Sequence, residues 1–235
     1  MDLTDWLKNE ALELGWDYCG AADIRPYHDY LASLAGNFIY QYPMAISLIF
    51  RLSDGAVDSI LGQEQDKQMS FNNYCYHAVD HMQNINAVKL TRMIEKKGFR
   101  AYPIPASYGV YPEKLAGLVS HKLVARAAGL GWVGKSGLFL TSQDGPRVRL
   151  TTILTNAGLA AGQPVSNKCG SCTVCIDDCP AGAIGEWDHD TNLPRIDVYK
   201  CYKYQEERKR KWNIKIDRCI CGLCQAICPR GQRLG

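Results

Sequence analysis

Seven of the eleven cysteines in this sequence lie in two short runs near its C-terminal end. The first run, Cys169 to Pro180, reads C-x2-C-x2-C-x3-C-P, and the second, Cys221 to Pro229, reads C-x2-C-x3-C-P. The first spacing is typical of bacterial ferredoxins with two clusters, in which the fourth cysteine of a run binds the other cluster. The runs therefore predict two [4Fe–4S] clusters and one-electron transfer.

The spacing also predicts which thiolates share a cluster, because three closely spaced cysteines can surround one cluster while the fourth turns away. The ligands assigned to the first cluster are Cys169, Cys172, Cys175 and Cys228. The second cluster takes Cys179, Cys221, Cys224 and one further cysteine. Either Cys201 or Cys219 can supply that ligand; we prefer Cys201, because Cys219 would make a C-x-C pair with Cys221.

Zinc and disulfide bonds are the alternative uses of these cysteines. Zinc sites usually combine two C-x2-C pairs or add histidines, and none of the five histidines lies in the cysteine runs. Disulfides need an oxidising compartment, whereas residues 1–10 show no basic region leading into an apolar signal core. We therefore expect iron-bound cysteines in a cytoplasmic protein.

Length and composition indicate one medium domain and one small domain. The chain has 235 residues, 46% of them hydrophobic, and a net charge of +3, which is too small to indicate nucleic-acid binding. No apolar stretch approaches the roughly 18 residues of a membrane span. Turn-forming residues around Gly162 place a boundary near residue 160, with a catalytic domain over 1–160 and a ferredoxin-like domain over 161–235. The second domain should lose structure without iron.

The hydrophobic pattern ahead of the cysteine runs predicts alternating helices and strands. Strands are expected over 44–50, 100–105 and 151–155, and helices over 74–97 and 115–128. Gly98 and Gly129 follow the two helices, where glycine commonly ends a helix. The fold class expected is α+β.

A glycine-rich turn, GLGWVGK at 129–135, follows the second predicted helix. Gly129, Gly131 and Gly134 fit the loose pattern G-x-G-x-x-G, but a dinucleotide site requires a strand before the glycines. Glycines also let the backbone approach a bulky ligand closely. We therefore reject a dinucleotide site, and the glycine spacing alone does not identify another ligand.

Three stretches together resemble epoxyqueuosine reductases and, more distantly, reductive dehalogenases. They are GLGWVGK at 129–135, GPRVRLTTILTN at 145–156 and CGSCTVCIDDCPAGAI at 169–184, joined by Cys201 and CGLCQAICP at 221–229. The resemblance covers roughly residues 40–235. It implies a domain similar to nitroreductase-like, cobalamin-processing proteins, followed by a two-cluster ferredoxin-like domain.

In function, the resemblance implies a cobalamin-dependent reductase. Electrons from a donor such as ferredoxin or flavodoxin would pass through both clusters to the corrinoid, which serves a small-molecule substrate. The residues implied at the corrinoid pocket are Gly131, Trp132, Gly134 and Lys135, with Arg147 and Arg149 near its polar edge. Without the resemblance, Trp132 reads as a core residue and the two arginines as solvated. Cys201 matches the ligand of the second cluster, and no histidine is given a metal role.

The sequence departs from this family in two places. The family's acidic proton donor, in an Asp-Ser-Ala-Pro segment before the glycine-rich turn, has no counterpart here, and Tyr108, Tyr111 and Glu113 are the candidate replacements. The sequence ends at Gly235 soon after the last cluster cysteine, which predicts a short form without the helical-repeat domain that helps to hold tRNA. A small-molecule substrate is therefore favoured.

Two other functions stay open. The protein could be an electron carrier that reduces the corrinoid of a partner protein, or a short-form epoxyqueuosine reductase that binds tRNA through the basic run 208–211. That run directly follows Glu206 and Glu207, which favours an exposed helix face with no partner.

Overall fold

The computed structural model of the protein describes residues 2–107, 115–188, 193–215 and 219–232. Two compact units alternate along the chain. The first comprises Met1–Arg51, Val79–Trp132 and Arg149–Ser166, and the second comprises Leu52–Ala78, Val133–Val148 and Asn167–Gly235. The single boundary predicted near residue 160 does not capture this interleaving, since two internal segments group with the cysteine-bearing end.

Strands and helices are mixed throughout the described residues. The strands are β1 Tyr18–Asp23, β2 Met44–Arg51, β3 Ala101–Ile104, β4 Trp132–Val133, β5 Phe139–Leu140, β6 Val148–Thr155, β7 Ile184–Asp188 and β8 Leu193–Ile196. The α-helices are α1 Leu3–Glu13, α2 His28–Ala35, α3 Asp54–Asp58, α4 Gln65–Asn72, α5 Asp80–Lys96, α6 His121–Ala127, α7 Val174–Asp177, α8 Val198–Lys211 and α9 Leu223–Ala226. Short 3-10 helices at Arg25–Tyr27 and Asn37–Gln41 and a π-helical segment at Asn73–Val79 complete the set. No described helix is long and apolar enough to span a membrane.

The first unit is built around a four-stranded sheet in the order β1-β2-β6-β3. Strands β1 and β2 are antiparallel, with Tyr18 opposite Ile49, and β3 and β6 are antiparallel, with Ala101 opposite Thr155. The three strands predicted from the sequence are confirmed at 44–51, 101–104 and 148–155.

Both faces of this sheet are buried. Ala45 of β2 belongs to a cluster with Leu31 of α2 and Val124 of α6, whereas Ile46 belongs to another, with Leu90 of α5 and Leu7 of α1. A strand covered on both faces needs no polar alternation. The run from Met44 to Phe50, apolar except for the buried Ser47, follows from this arrangement.

The two predicted helices are present with different bounds. The helix expected over 74–97 is α5 at Asp80–Lys96, preceded by the π-helical segment Asn73–Val79. The helix expected over 115–128 begins only at His121, because Ser120 caps it by accepting a hydrogen bond from the Leu123 amide. Hydrophobic spacing alone carries no information about that cap.

The second unit has short elements and little sheet. Strands β7 and β8 pair antiparallel, with Ile184 opposite Ile196. Its longest helix, α8, begins after Asp197, whose carboxylate accepts from the Lys200 amide at 2.8 Å. The mixed helix-and-sheet content agrees with the expected α+β class.

A close backbone crossing in the first unit requires glycine at position 162. The Gly162 amide donates to the Ala21 carbonyl oxygen at 2.8 Å. A Cβ on Gly162 would lie well under 3.0 Å from the Ala128 carbonyl oxygen. This crossing holds the chain against the end of α6, just before the glycine-rich turn.

We expect Gly162→Ala to lower the free energy of unfolding by roughly 1–3 kcal/mol, because the added methyl group must displace backbone. The matched control is Gly158→Ala, where an added Cβ meets nothing within 4 Å, and a change within roughly 0.5 kcal/mol is expected. Denaturant unfolding followed by circular dichroism measures both. Equal stabilities of the two variants would contradict the crossing.

Candidate iron–sulfur site

Four thiols of the second unit form a first group around Cys175. Burial raises the pKa of Cys175 to about 11, and the neighbouring charges of Cys228, Cys169 and Cys172 raise it further. The pKa of Cys228 is likewise raised by burial and then by Cys169 and Cys172. The fold therefore brings together the four cysteines that the spacing assigned to one cluster.

A second group forms around Cys224. Burial raises the pKa of Cys224 above its ordinary range, and Cys221, Cys201, Cys175 and Cys179 add to the effect in that order. Cys175 belongs to the first group, so the two groups adjoin at Cys175 and Cys224. A short separation between two redox centres is what transfer of an electron from one to the other requires.

The two candidates for the last ligand of this group are placed differently. The pKa of Cys201 is raised by burial, lowered by the Gln205 side chain and raised by Cys179. Cys219 is 3% exposed. Among the described cysteines, only Cys221 raises its pKa. The structure thus places Cys201, rather than Cys219, beside Cys179.

Hydrogen bonds to sulfur occur in the second group. The Ala183 amide donates to the Cys179 sulfur at 3.4 Å, and the Gln205 side-chain amide donates to the Cys201 sulfur at 3.2 Å. Such donors stabilise thiolate charge, and in iron–sulfur proteins they tune the cluster potential. Among the described residues no group of three or more His, Cys, Asp or Glu side chains is arranged to hold a single metal ion. The cysteines of a [4Fe–4S] cluster need not be so arranged, because each binds a different iron.

The backbone before Cys221 is held by two side chains of α4. Asn72 donates from Nδ2 to the Ile220 carbonyl oxygen at 3.1 Å and accepts from the Ile220 amide at 2.8 Å. Gln68 donates to the same carbonyl oxygen at 2.6 Å. Residues 52–78 thus fix the position of a cluster cysteine about 150 places further along the chain, a relation that the cysteine spacing does not indicate.

The end of the glycine-rich turn packs against the first cysteine group. A Cβ on Gly134 would lie 3.2 Å from the Cys169 sulfur and 2.7 Å from a methyl group of Leu140, so a larger residue would force these side chains to shift. Lys135 donates from Nζ to the Cys172 carbonyl oxygen at 2.8 Å. Gly131 and Trp132 are buried, with Trp132 only 2% exposed.

Arg147 is buried among acidic side chains, in contrast to a solvated arginine after a turn. It is 2% exposed, and its guanidinium group pairs with Asp54 at 3.2 Å and Asp58 at 2.6 Å. Nη2 also donates to the Ala226 carbonyl oxygen at 3.3 Å. The two aspartates lie about 90 residues away in the sequence, and sequence reasoning did not identify them.

Arg149 belongs to a polar cluster in the first unit that sequence reasoning also missed. It donates to both carboxylate oxygens of Asp80, at 2.8 and 2.9 Å, and to the Ser107 hydroxyl. Ser107 immediately precedes the candidate proton donors. Tyr108, Tyr111 and Glu113 themselves lie outside the described residues.

His121 joins this part of the first unit. Its ring nitrogens contact the Thr152 hydroxyl at 2.8 Å and the Pro105 carbonyl oxygen at 3.2 Å. Burial lowers the pKa of His121 to about 4, so the ring is neutral near pH 7. Because the Pro105 oxygen can only accept, Nε2 carries the ring proton and Nδ1 accepts from Thr152.

Residues 168–231 match a family described as the 4Fe-4S double cluster binding domain. Every cysteine of the two groups lies in this range. The match supports two [4Fe–4S] clusters, and the two groups of four thiols fit them.

Curated relatives carry the name epoxyqueuosine reductase. The protein of that name from Bacillus anthracis is 34% identical over 122 residues, which cover 49% of this chain and 30% of the relative. The one from Leadbetterella byssophila is 27% identical over 97% of this chain and 80% of the relative. The alignment thus spans about a third of the first relative and most of the second.

Two solved structures share the fold. A reductive dehalogenase, described with a mechanism for B12-dependent dehalogenation, aligns with a TM-score of 0.69 and 18% identity over 97% of this chain and 31% of its own. An epoxyqueuosine reductase with a tRNA-Tyr epoxyqueuosine-modified stem loop aligns with a TM-score of 0.65 and 19% identity over 97% and 65%. The resemblance predicted from the sequence is thereby confirmed: the chain is similar to epoxyqueuosine reductases over nearly its whole length and includes a 4Fe-4S double cluster binding region.

Proposed function

We propose that the protein is an iron–sulfur oxidoreductase that uses two [4Fe–4S] clusters and a corrinoid to reduce a small-molecule substrate. The observation that carries the proposal is the gathering of eight thiols into two adjoining groups of four. When bound, the clusters supply one-electron transfer and the corrinoid supplies the strongly reducing centre. A small redox protein such as ferredoxin or flavodoxin serves as the electron donor.

The ligand assignment is part of the proposal. The first cluster is held by Cys169, Cys172, Cys175 and Cys228, and the second by Cys179, Cys201, Cys221 and Cys224. Support comes from the neighbours that raise each thiol's pKa. The amide donors on Cys179 and Cys201 add support, because bound thiolates carry charge that such donors stabilise.

The corrinoid is proposed on fold likeness to a structure described as B12-dependent. With it we propose that the first unit has the nitroreductase-like arrangement implied by the resemblance. The polar residues predicted at the pocket do not themselves fit as corrinoid ligands, since Lys135, Arg147 and Arg149 already have protein partners. We propose that they hold the surrounding backbone instead.

Arg149 illustrates this role. Its pairing with Asp80 fixes the guanidinium group, which in turn binds the Ser107 hydroxyl. That anchors the residue directly before the proposed proton donors, which are Tyr108, Tyr111 and Glu113.

The second candidate function is reduction of epoxyqueuosine in tRNA. It is favoured by a relative named epoxyqueuosine reductase, to which 97% of this chain aligns with 27% sequence identity. The shared fold with an epoxyqueuosine reductase bearing a modified tRNA stem loop is compatible with it.

The choice between Cys201 and Cys219 gives a matched pair of variants. We expect reconstituted wild type and Cys219→Ser to bind about eight irons per chain, as two [4Fe–4S] clusters require. Cys201→Ser should bind fewer, or show an altered second cluster, because a ligand thiolate is lost. Iron and sulfide analysis with paramagnetic resonance measures both. The opposite pattern would make Cys219 the ligand.

Corrinoid binding is tested by titrating the anaerobically reconstituted protein with cob(II)alamin. We expect a saturable change in the visible spectrum and a base-off cobalt resonance signal, which is the form of bound cobalamin that the resemblance to this family implies. Flavin mononucleotide is titrated in parallel as the competing cofactor. Saturable flavin binding without cobalamin binding would remove the corrinoid from the proposal.

The substrate is tested by expressing the chain in a strain that lacks epoxyqueuosine reductase. The small-molecule proposal predicts that epoxyqueuosine persists in tRNA hydrolysates analysed by mass spectrometry. Cys201→Ser, which should impair electron supply, serves as the inactive control. Queuosine formed by wild type and not by this variant would establish the second candidate function in place of the first.

A further inference from the structure

One residue of the basic run 208–211 faces inward. Arg208 is 6% exposed, whereas Arg210 and Lys211 on the same helix are exposed. The expectation of an exposed face therefore holds for part of the run and is wrong for Arg208. A buried arginine is rare unless it is paired, so its surroundings need an explanation.

The surroundings of Arg208 are neutral amides and aromatic rings. Nη1 donates to the Gln63 Oε1 atom at 3.0 Å, and Nη2 donates to the Gln68 Oε1 atom at 3.1 Å. The guanidinium carbon lies 4.2 Å from the centre of the Trp212 ring and 5.7 Å from that of Tyr204. Within the described residues no carboxylate forms an ion pair with Arg208, unlike Arg147 and Arg149.

Both glutamines are held in one orientation. Gln63 donates from Nε2 to the Ile60 carbonyl oxygen at 2.7 Å, and Gln68 donates from Nε2 to the Ile220 carbonyl oxygen at 2.6 Å. Each amide oxygen is therefore directed at Arg208, and neither amide can rotate without losing both bonds. The positive charge is fixed in place.

This fixed charge lies beside the second cysteine group. The Gln63 oxygen that binds Arg208 is 3.9 Å from the Cys221 sulfur. Gln68, the other partner of Arg208, binds the residue directly before Cys221. Arg208 also follows Cys201 by seven residues on α8, which places both on the same face of that helix. Helix α8, which carries Cys201, and the backbone that carries Cys221 thus both lie beside the buried Arg208.

We propose that Arg208 raises the reduction potential of the second cluster above the value that the cluster would have without this charge. The inference rests on the cluster assignment of the proposed function. Accepting one electron adds one negative charge to the cluster, with no bond made or broken. A buried cation stabilises that charge more than a solvated one, because little water screens it.

The test is a redox titration of the reconstituted full-length protein with dithionite, followed by paramagnetic resonance. We expect Arg208→Gln to lower the potential of one of the two reduction steps by about 59 mV. That shift corresponds to about a tenfold change in the one-electron equilibrium constant. The other step should not move. Cys201→Ser identifies the shifted step, since it alters the same cluster.

Two further variants separate charge from structure. Arg210→Gln removes a charge from an exposed position of the same helix and should leave both steps unchanged, because water and salt screen it. Arg208→Lys keeps the charge and should restore most of the potential. Arg208→Gln could instead lose the second cluster while Arg208→Lys keeps it at near wild-type potential. That result would also support an effect of the positive charge on the second cluster.

Other results would overturn the inference. Unchanged potentials in Arg208→Gln would leave Arg208 as a packing residue only. Equal loss of the second cluster in Arg208→Gln and Arg208→Lys would show that Arg208 holds the structure and that its charge has no separate effect. Failure of wild type to bind two clusters would instead count against the proposed function, so the two failures are distinguishable.

Discussion

The constraint on which the second unit depends is the crowding of eight thiols into two small groups. Burial and mutual repulsion raise the pKa of Cys175 and Cys224 well above the ordinary value of a thiol, so the gathered side chains resist ionisation on their own. Iron ions supply the positive charge that makes the thiolate form favourable. The surrounding chain must therefore hold the neutral thiols in place until metal binds. That requirement explains why a region with short helices and little sheet is tied to other segments by many hydrogen bonds.

Those segments come from earlier in the chain, and this accounts for the interleaving of the two units. Asn72 and Gln68 hold the peptide before Cys221, and Lys135 holds the loop of Cys172. Arg147 ties α3 to the carbonyl oxygen of Ala226. A cluster-binding region that formed a separate C-terminal domain would need none of these contacts. The interleaving of the two units along the chain therefore follows from contacts within the second unit, which draw residues 52–78 and 133–148 to the cysteine-bearing end.

The sequence allowed correct prediction of those features that depend on local spacing. The cysteine intervals predicted the two groups of thiols, and apolar runs predicted β2, β3 and β6, because ligand geometry and strand burial act over a few residues. The partners of the arginines could not be predicted in this way. Asp58 lies 89 residues before Arg147 and Gln68 lies 140 before Arg208, and no short pattern records such pairings. The start of α6 was missed for a local reason, since it depends on the cap at Ser120.

Arg147, Arg149 and Arg208 show how the same side chain can serve different purposes. Arg147 and Arg149 face carboxylates, so their charges are largely cancelled and their fork geometry holds backbone segments together. Arg208 faces amide oxygens, which orient a guanidinium group without neutralising it. Its charge therefore acts on the neighbouring thiols, which include Cys219 and Cys221. An arginine that served only packing would be expected to have a carboxylate partner, because an uncompensated buried charge is destabilising. Among the described residues the hydrogen-bond partners of Arg208 are neutral, and the negative charge of the proposed second cluster would compensate its charge.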